Sequence, residues 1–181
     1  MEVELFNKDL SSYWYCPYWK DRHIFELKQA KTFERVTEIA LSVMETMPQE
    51  LSQLCGPITT GGFGDELKNR KIFNRCVIEL RVQKLNPFDQ TLLEKAIGPL
   101  KIEWKKINGA EKHCKPILNV LYKGIFQSGK IKRTFFLPNW HTSEGSVWER
   151  NLIQSLGIEI NEFPESWYQK ILEEFYFEVV R

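Results

Sequence analysis

The stretch from residue 135 to residue 149 constrains the fold of this chain more than any other. It opens with Phe135-Phe136-Leu137, an apolar run typical of a buried strand, which Pro138 ends. A short polar turn follows, and then a helix that carries Glu149 near its start. In an open α/β sheet, ligands collect where the carboxyl end of a strand meets a helix N-terminus. The stretch therefore predicts a strand of such a sheet and a ligand site at its end.

Short apolar runs and amphipathic segments alternate through most of the chain. The periodicity predicts helices over residues 32–47, 65–84, 92–97, 111–126, 145–156 and 165–179. Thr91 is expected to cap the third of these helices, Gly98-Pro99 to terminate it, and residues 100–110 to form a weakly patterned connection. Strands are predicted over residues 52–55, 134–137 and 158–160, with a brief strand and turn over 85–90.

This alternation indicates an α/β fold with a mainly parallel sheet and helices on both faces. The expected architecture is a single-domain, flavodoxin- or Rossmann-like three-layer sandwich with an extra N-terminal segment. Residues 1–50 would form an arm and a helix packed on the core, and residues 51–181 the α/β domain.

Composition excludes several classes of protein. The 181 residues are 43% hydrophobic and 27% charged, with a formal net charge of +1, so no strong field recruits nucleic acid or an anionic membrane. No apolar run approaches the roughly 18–20 residues that span a bilayer. The first five residues lack the basic start and apolar stretch of a secretory signal. We therefore expect a cytoplasmic protein without a membrane or nucleic-acid partner.

The cysteines and histidines are too scattered to predict a metal site. Cys16, Cys55, Cys76 and Cys114 contain no Cys-x-x-Cys pair, and the three histidines are equally dispersed. Reduced, mostly buried thiols are the expectation, with no metal and no cofactor.

Aromatic residues crowd both ends of the chain, over 13–19 and 167–177. They suggest an additional packed layer or a dimer surface. Lys20, Arg22 and His23 follow the first group, and such interleaving can bind single-stranded nucleic acid. An edge strand or an aromatic arm packed on its own domain is the favoured interpretation.

A glycine-rich turn over residues 56–64 follows the first predicted strand of the sheet. Glycines between a strand and a helix let backbone N–H groups approach a ligand closely. On its own this turn is a weak signal, because many glycine-rich loops serve only as turns.

Two separated motifs, taken together, resemble the nucleoside 2-deoxyribosyltransferase-like superfamily. That superfamily includes the 2′-deoxynucleoside 5′-phosphate N-hydrolases and a small uncharacterised phage and bacterial branch, to which the likeness is closest. It covers roughly residues 51–162. The matching residues are Gly56-Pro57-Ile58-Thr59, Asn69, Phe73, Asn86-Pro87, Leu137-Pro138-Asn139-Trp140, Ser143, Gly145-Ser146 and Glu149.

The resemblance implies that Glu149 is the nucleophile of an enzyme that cleaves or transfers an N-glycosidic bond. A carboxylate can attack C1′ of a sugar as the base leaves, through an oxocarbenium-like transition state. A free glutamate titrates near about 4.3, so Glu149 is expected to be ionised at neutral pH. Asp89 is the second catalytic candidate, to bind a sugar hydroxyl or protonate the base, although it can equally belong to an ordinary turn.

The substrate implied by the resemblance is a nucleoside or nucleotide. Ser143 stands where phosphate-binding members keep a serine, and it can also be a helix N-cap. Asn69 can bond across the site or cap its helix, and His141 can contact base or phosphate or be solvated. The predicted substrate-binding residues are Gly56, Pro57, Ile58, Thr59, Gly61, Asn69, Trp140, His141, Ser143, Gly145 and Ser146.

Two departures from the family pattern leave a second function open. The aspartate that the family carries before the glutamate motif is missing from residues 130–134, and Asn139 replaces a glycine. Lys132 or Arg133 can instead bind phosphate. The alternative is a non-catalytic nucleotide-binding protein, a sensor or interaction protein, on the same fold. A third is an interaction module built on the aromatic termini. The resemblance also implies a homodimer.

Overall fold

A computed structural model describes residues 17–110 and 113–179, and its centre is a parallel three-stranded sheet. The strands are β1 (Leu51–Cys55), β2 (Ile131–Phe136) and β3 (Glu159–Glu162), in the spatial order β1-β2-β3. Both strand pairs are parallel. The predicted α/β class, with a mainly parallel sheet, is therefore confirmed.

Helices make up most of the described residues. The α-helices are α1 (Asp21–Gln29), α2 (Phe33–Glu45), α3 (Glu66–Val82), α4 (Glu94–Asn108), α5 (Lys123–Gln127), α6 (Glu144–Ser155) and α7 (Glu165–Val179). Two 3₁₀ turns (Gln90–Leu93 and Trp140–Thr142) and a π-helix (Ile117–Tyr122) complete the set. No helix within the described ranges is long and apolar enough to cross a membrane.

Two hydrophobic clusters divide the strand side chains between them, as alternation along a strand requires. Cys55 and Phe136 belong to the larger cluster, which α1, α2, α4, α5 and α6 share. Their neighbours Leu54 and Phe135 belong to a smaller cluster with α3 and α7. Helices therefore cover both sides of β1 and β2.

The predicted strand at 85–90 is reduced to one bridge on the free edge of β1. Ser52 N donates to Asn86 O at 3.1 Å, and Phe88 N donates to Ser52 O at 2.8 Å. Pro87, between them, has no N–H to extend the ladder. After β1 the chain passes to the bridge at Pro87 on one side of β1, whereas after β2 it passes to β3 on the opposite side of the sheet. The direction in which the chain crosses the sheet therefore reverses between β1 and β2. This reversal is the place where ligands bind in open α/β sheets.

The prediction that Gly98-Pro99 terminates a short helix is wrong. Helix α4 continues through both residues and ends before Gly109, whose φ is 112°. Leu100 and Trp104 pack against the larger hydrophobic cluster, and this burial outweighs the backbone hydrogen bond that Pro99 cannot donate. The expected N-cap Thr91 is also wrong, because Asp89 caps the 3₁₀ turn by accepting from Thr91 N at 3.1 Å.

The segment predicted as a helix over 111–126 is irregular. Residues 111 and 112 lie outside the described part, and a π-helix occupies 117–122 before α5. Gly124 lies so close to α2 that a Cβ there would be 2.7 Å from Thr37 Cγ2. The π-helix carries Leu121 and Tyr122 into the interior.

Helix α1 was not predicted, because residues 1–30 show no clean period. It packs on α2 and α4, and Trp19 just before it is 2% exposed. Trp19 Nε1 donates to Asp89 O at 3.1 Å, and its ring lies 6.0 Å from that of Phe88. Of the predicted aromatic arm, residues 13–16 lie outside the described ranges. Cys55, Cys76 and Cys114 are free and buried, as predicted.

Candidate functional site

The loops that follow β1 and β2 meet at the carboxyl edge of the sheet. Leu137 N donates to Cys55 O at 3.0 Å, which extends the strand pairing by one step. Farther out, Gly62 N donates to Thr142 Oγ1 at 2.7 Å. The glycine-rich turn and the stretch that leads to Glu149, 80 residues apart in sequence, are therefore neighbours.

Asn69 holds the glycine-rich turn from behind. Its Nδ2 donates to Gly61 O and its Oδ1 accepts from Phe63 N, both at 3.0 Å. A Cβ on Gly62, whose φ is 60°, would lie 2.5 Å from Asn69 Oδ1. Asn69 is buried and engaged on both sides, so the structure places it in support of the loop rather than in contact with a ligand.

A cavity of about 380 Å³ opens beneath these loops. This size falls in the range of small-molecule sites. Seven of the predicted site residues line it: Gly56, Ile58, Thr59, Ser143, Gly145, Ser146 and Glu149. The opposite wall consists of one face of α4 and of Ile117, Leu118 and Tyr122 from the π-helix.

Glu149 is the most unusual group in the cavity. It is 6% exposed, and burial raises its pKa from 4.5 to about 8, although a hydrogen bond from the Cys55 thiol acts in the opposite direction. In the described part of the chain no lysine, arginine or histidine forms an ion pair with it. Burial therefore disfavours the ionised form of Glu149 that the sequence led us to expect at neutral pH. A buried carboxyl with a strongly perturbed pKa in a cleft is typical of functional sites.

Two further proton-bearing groups surround Glu149. Burial, with the nearby charge of Glu149, raises the pKa of the Cys55 thiol well above its usual range. Burial also raises the pKa of Tyr122, and the charges of Glu94, Glu149 and Cys55 add to this effect. The carboxyl of Glu149 and the phenol of Tyr122 therefore line the cavity, and the Cys55 thiol is hydrogen-bonded to that carboxyl.

Arg70 joins helices α3 and α4 at one end of the cavity. Its Nη2 lies 2.9 Å from Glu66 Oε1 and 3.0 Å from Glu94 Oε2. Burial lowers the pKa of Arg70, but Glu94 and Glu66 more than offset this and raise it. All three residues line the cavity, and none of them was predicted from the sequence. Glu66 and Arg70 are four residues apart on α3, a spacing that in sequence is typical of an exposed helical pair.

A buried pair of glutamines lies at the same end. Gln53 Nε2 donates to Gln90 Oε1 at 2.6 Å, and Gln90 lines the cavity. Both side chains are at least 97% buried. Gln53 follows Ser52 in the buried strand β1, and a polar residue inside a predicted buried strand is the one signal that could have found this pair.

Ser143 forms the N-cap of α6. Its side chain accepts from Ser146 N at 3.4 Å, and its carbonyl accepts from Val147 N at 3.0 Å. Both serines and Gly145 line the cavity, so the first turn of α6 faces it. The N-cap interpretation of Ser143 is confirmed, and the role in phosphate binding stays a prediction.

Six predicted site residues do not line the cavity: Asp89, Pro57, Gly61, Asn69, Trp140 and His141. Asp89 Oδ2 pairs with Arg81 Nη2 at 3.2 Å while its Oδ1 caps the 3₁₀ turn, so Asp89 is engaged in structure. The ring of Trp140 lies against the guanidinium of Arg150, at 4.5 Å, and His141 is exposed beside it.

The basic residues before the glutamate motif lie away from the cavity. Lys132 and Arg133 belong to the amino-terminal half of β2, whereas the cavity is at the carboxyl end. Arg133 Nη2 pairs with Glu50 at 3.2 Å. The suggestion that they bind a phosphate in this site is wrong, because the length of the strand separates them from it.

Within the two described ranges, no three histidine, cysteine, aspartate or glutamate side chains are grouped so that they could hold a metal ion. Comparison with protein-family models, with characterised proteins and with solved structures finds no match to this chain.

Proposed function

We propose that this chain cleaves or transfers the N-glycosidic bond of a nucleoside or nucleotide, with Glu149 as the nucleophile. The observation that carries the proposal is the position of Glu149: a buried carboxyl without an ionic partner, in a cavity at the carboxyl edge of a parallel sheet. The resemblance of the two loop motifs to the nucleoside 2-deoxyribosyltransferase-like superfamily supplies the chemistry.

The proposal includes a Rossmann-like three-layer arrangement of the fold. It is supported by the reversal of chain direction between β1 and β2 and by the clusters on both sides of these strands. In such folds the crevice at the reversal receives the ligand. Here that crevice holds the first turn of α6, with Ser143 and Gly145, and the turn at Gly56.

In the proposed reaction, the Glu149 carboxylate forms a bond to C1′ while the C1′–N bond breaks. The electron pair of that bond leaves with the base nitrogen. Water, or a second base in a transfer, then attacks C1′ and returns the carboxylate. The water consumed supplies the sugar hydroxyl and, in net terms, the proton on the base.

The raised pKa of Glu149 shapes this chemistry. With a pKa of about 8, roughly one molecule in ten carries the carboxylate form at pH 7. A substrate whose sugar becomes cationic favours the ionised form, since a fixed anion beside the ring stabilises the transition state. Burial therefore makes the carboxylate more basic and keeps water away from it.

The test is a panel of deoxynucleosides and deoxynucleoside monophosphates, with release of free base followed by chromatography. The wild type should release base, and Glu149→Gln, which keeps the shape of the side chain, should reduce kcat by at least about 10³-fold, as expected for loss of a nucleophile. As a matched control, Glu144→Gln changes an exposed carboxylate of the same helix and should leave kcat unchanged. Base release that persists in the Glu149→Gln variant would refute the assignment.

The pH dependence of kcat/KM discriminates between two roles of Glu149. A nucleophile must be ionised, so kcat/KM should rise with pH and level off above about 8. A general acid must be protonated, so kcat/KM would fall above the same pH. A falling limb there would exclude the nucleophilic role.

A second candidate is nucleotide binding without turnover. It is favoured by the absence of a carboxylate from residues 130–134 and by the burial that raises the pKa of Glu149. It predicts that a nucleotide raises Tm, because a ligand that binds only the native state stabilises it, while no base is released.

Homodimerisation belongs to the proposal as well, because related sites borrow residues from a neighbouring subunit. Ile102, which lines the cavity mouth, is 58% exposed, and Ile107 on the same helix is 84% exposed. A second subunit could bury both. Sedimentation analysis of the wild type and of an Ile102→Glu variant tests this, and a wild type that stays monomeric at high concentration would contradict it.

A further inference from the structure

One face of helix α4 lines the cavity from Glu94 to Lys105. Its members are Glu94, Ile97, Gly98, Lys101, Ile102 and Lys105. At 1.5 Å per residue, Glu94 and Lys105 are about 16 Å apart along the helix axis. An added Cβ on Gly98 would meet nothing within 4 Å, so the wall recedes at its centre.

Charge is divided between the two ends of this face. Near the N-terminus of α4, Glu94 is bound to Arg70, which also pairs with Glu66. Lys101 and Lys105, both half-buried, lie farther along the helix. Neither lysine forms a hydrogen bond or an ion pair anywhere in ranges 17–110 and 113–179. Two ammonium groups one turn apart on a helix repel each other. Without a counter-ion they therefore destabilise the folded protein, and a bound anion would remove this repulsion.

The neighbouring lysine shows what an ordinary surface position looks like on this helix. Lys106 Nζ pairs with Glu103 Oε1 at 2.6 Å, and the Lys106 side chain is 64% exposed. It does not line the cavity. Lys105 and Lys106 both lie in the last turn of α4, where the helix dipole favours cations. The dipole therefore explains a lysine on this helix, but not why two of them face the cavity unpaired.

The part of α4 that carries Lys101 and Lys105 also faces the segment that borders the first turn of α6. Burial raises the pKa of Cys114, and the charges of Lys101 and Lys105 oppose this increase, so both ammonium groups lie near Cys114. At the other end of the same segment, a Cβ on Gly145 would lie 3.9 Å from Leu118 Cδ2. Residues 114–118 thus adjoin the two lysines at one end and the N-terminus of α6 at the other.

We infer that Lys101 and Lys105 bind the phosphate of a nucleotide, so that the ligand of this cavity is phosphorylated rather than a free nucleoside. The ligand would lie along α4 with its phosphate between the lysines and the first turn of α6. Its uncharged base would extend toward Gln90 and Glu94, which present hydrogen-bonding groups. The nucleoside part of this inference rests on the proposed function, whereas the phosphate part rests on the lysines.

The test compares Lys101→Gln, Lys105→Gln and the double variant with Lys106→Gln as matched control. The control removes the same charge from the same helix, and from the same last turn as Lys105, but from outside the cavity. The ligand-induced change in Tm is measured for inorganic phosphate, a deoxynucleoside 5′-monophosphate and the corresponding free deoxynucleoside. The readout does not need turnover, and each variant is compared with its own unliganded Tm.

The monophosphate should stabilise the wild type more than the nucleoside does, and added salt should weaken this preference. Each single substitution should weaken monophosphate binding about fivefold to tenfold. The double variant should bind monophosphate and nucleoside alike, whereas Lys106→Gln should behave as the wild type. Stabilisation by inorganic phosphate that the double variant loses would locate the phosphate contact independently of the nucleoside.

A double variant that keeps the full preference for monophosphate would overturn the inference. So would a wild type that binds monophosphate and nucleoside equally well, or one that no probe stabilises. The two proposals fail separately. Base release from free nucleosides and monophosphates at equal rates would refute the phosphate contact but support the proposed glycosidase activity. Monophosphate binding without base release would support the phosphate contact but refute the glycosidase activity.

Discussion

The buried carboxyl of Glu149 should make the stability of this protein depend on pH in a direction opposite to that of most carboxylates. In the unfolded chain Glu149 titrates near 4.5, whereas burial raises its pKa in the folded protein to about 8. Below pH 4.5 both states carry the proton and the group contributes nothing. Between pH 4.5 and pH 8 only the folded state keeps it, so the free energy of unfolding falls as pH rises.

The magnitude follows from the separation of the two pKa values. At about 1.4 kcal/mol for each unit of pKa, the loss reaches about 5 kcal/mol above pH 8 and about 3 kcal/mol at pH 7. This is a large part of the roughly 5–15 kcal/mol that stabilises an ordinary domain. The group is 6% exposed, so solvent screens little of the effect.

Urea denaturation of the wild type and of Glu149→Gln at pH 5, 6, 7, 8 and 9 measures this effect. Glutamine has nearly the same shape and cannot ionise, so titrations of all other groups cancel in the difference between the two proteins. The variant should gain about 3–4 kcal/mol over the wild type between pH 5 and pH 8, and the difference should then level off. A difference that stays within about 0.5 kcal/mol from pH 5 to pH 9 would show that Glu149 has an ordinary pKa, and would refute the reasoning.

Two further variants test the frame of the site. Asn69→Ala removes both hydrogen bonds that hold the glycine-rich turn and should lower the free energy of unfolding by about 1–3 kcal/mol in urea denaturation. Asn69→Asp keeps the acceptor for Phe63 N and should lower it less. Equal losses in the two variants would contradict a role of these hydrogen bonds in holding the turn. Asp89→Asn breaks the pair with Arg81 and should lower stability by about 1–2 kcal/mol without changing kcat for any substrate that is turned over, because Asp89 does not line the cavity. If the Asp89→Asn variant showed a lower kcat with an unchanged free energy of unfolding, Asp89 would again be a candidate catalytic residue.

The elements that were predicted correctly are those in which local pattern and tertiary packing agree. Helix α2 has Thr32 as its N-cap and one apolar stripe, and it forms where predicted. Helix α4 shows the opposite case. Its local signals favour a break at Gly98-Pro99, but burial of Trp104 and Leu100 carries the helix onward, and the lysines that face the cavity lie in that continuation.

In the candidate site, the sequence determined the residues of the two loop motifs, because strand, turn and helix signals are local and parallel strands bring such turns to one edge. Only the tertiary structure decided which of these residues face the cavity. In the structure Asn69 supports the glycine-rich turn by hydrogen bonds, and Asp89 forms an ion pair with Arg81. Glu149 is buried, which raises its pKa. The tertiary structure also showed that one face of α4 lines the cavity. The sequence of a charged helix face does not indicate whether that face contacts solvent or a cavity. Burial and electrostatics depend on residues distant along the chain, and no local pattern records them.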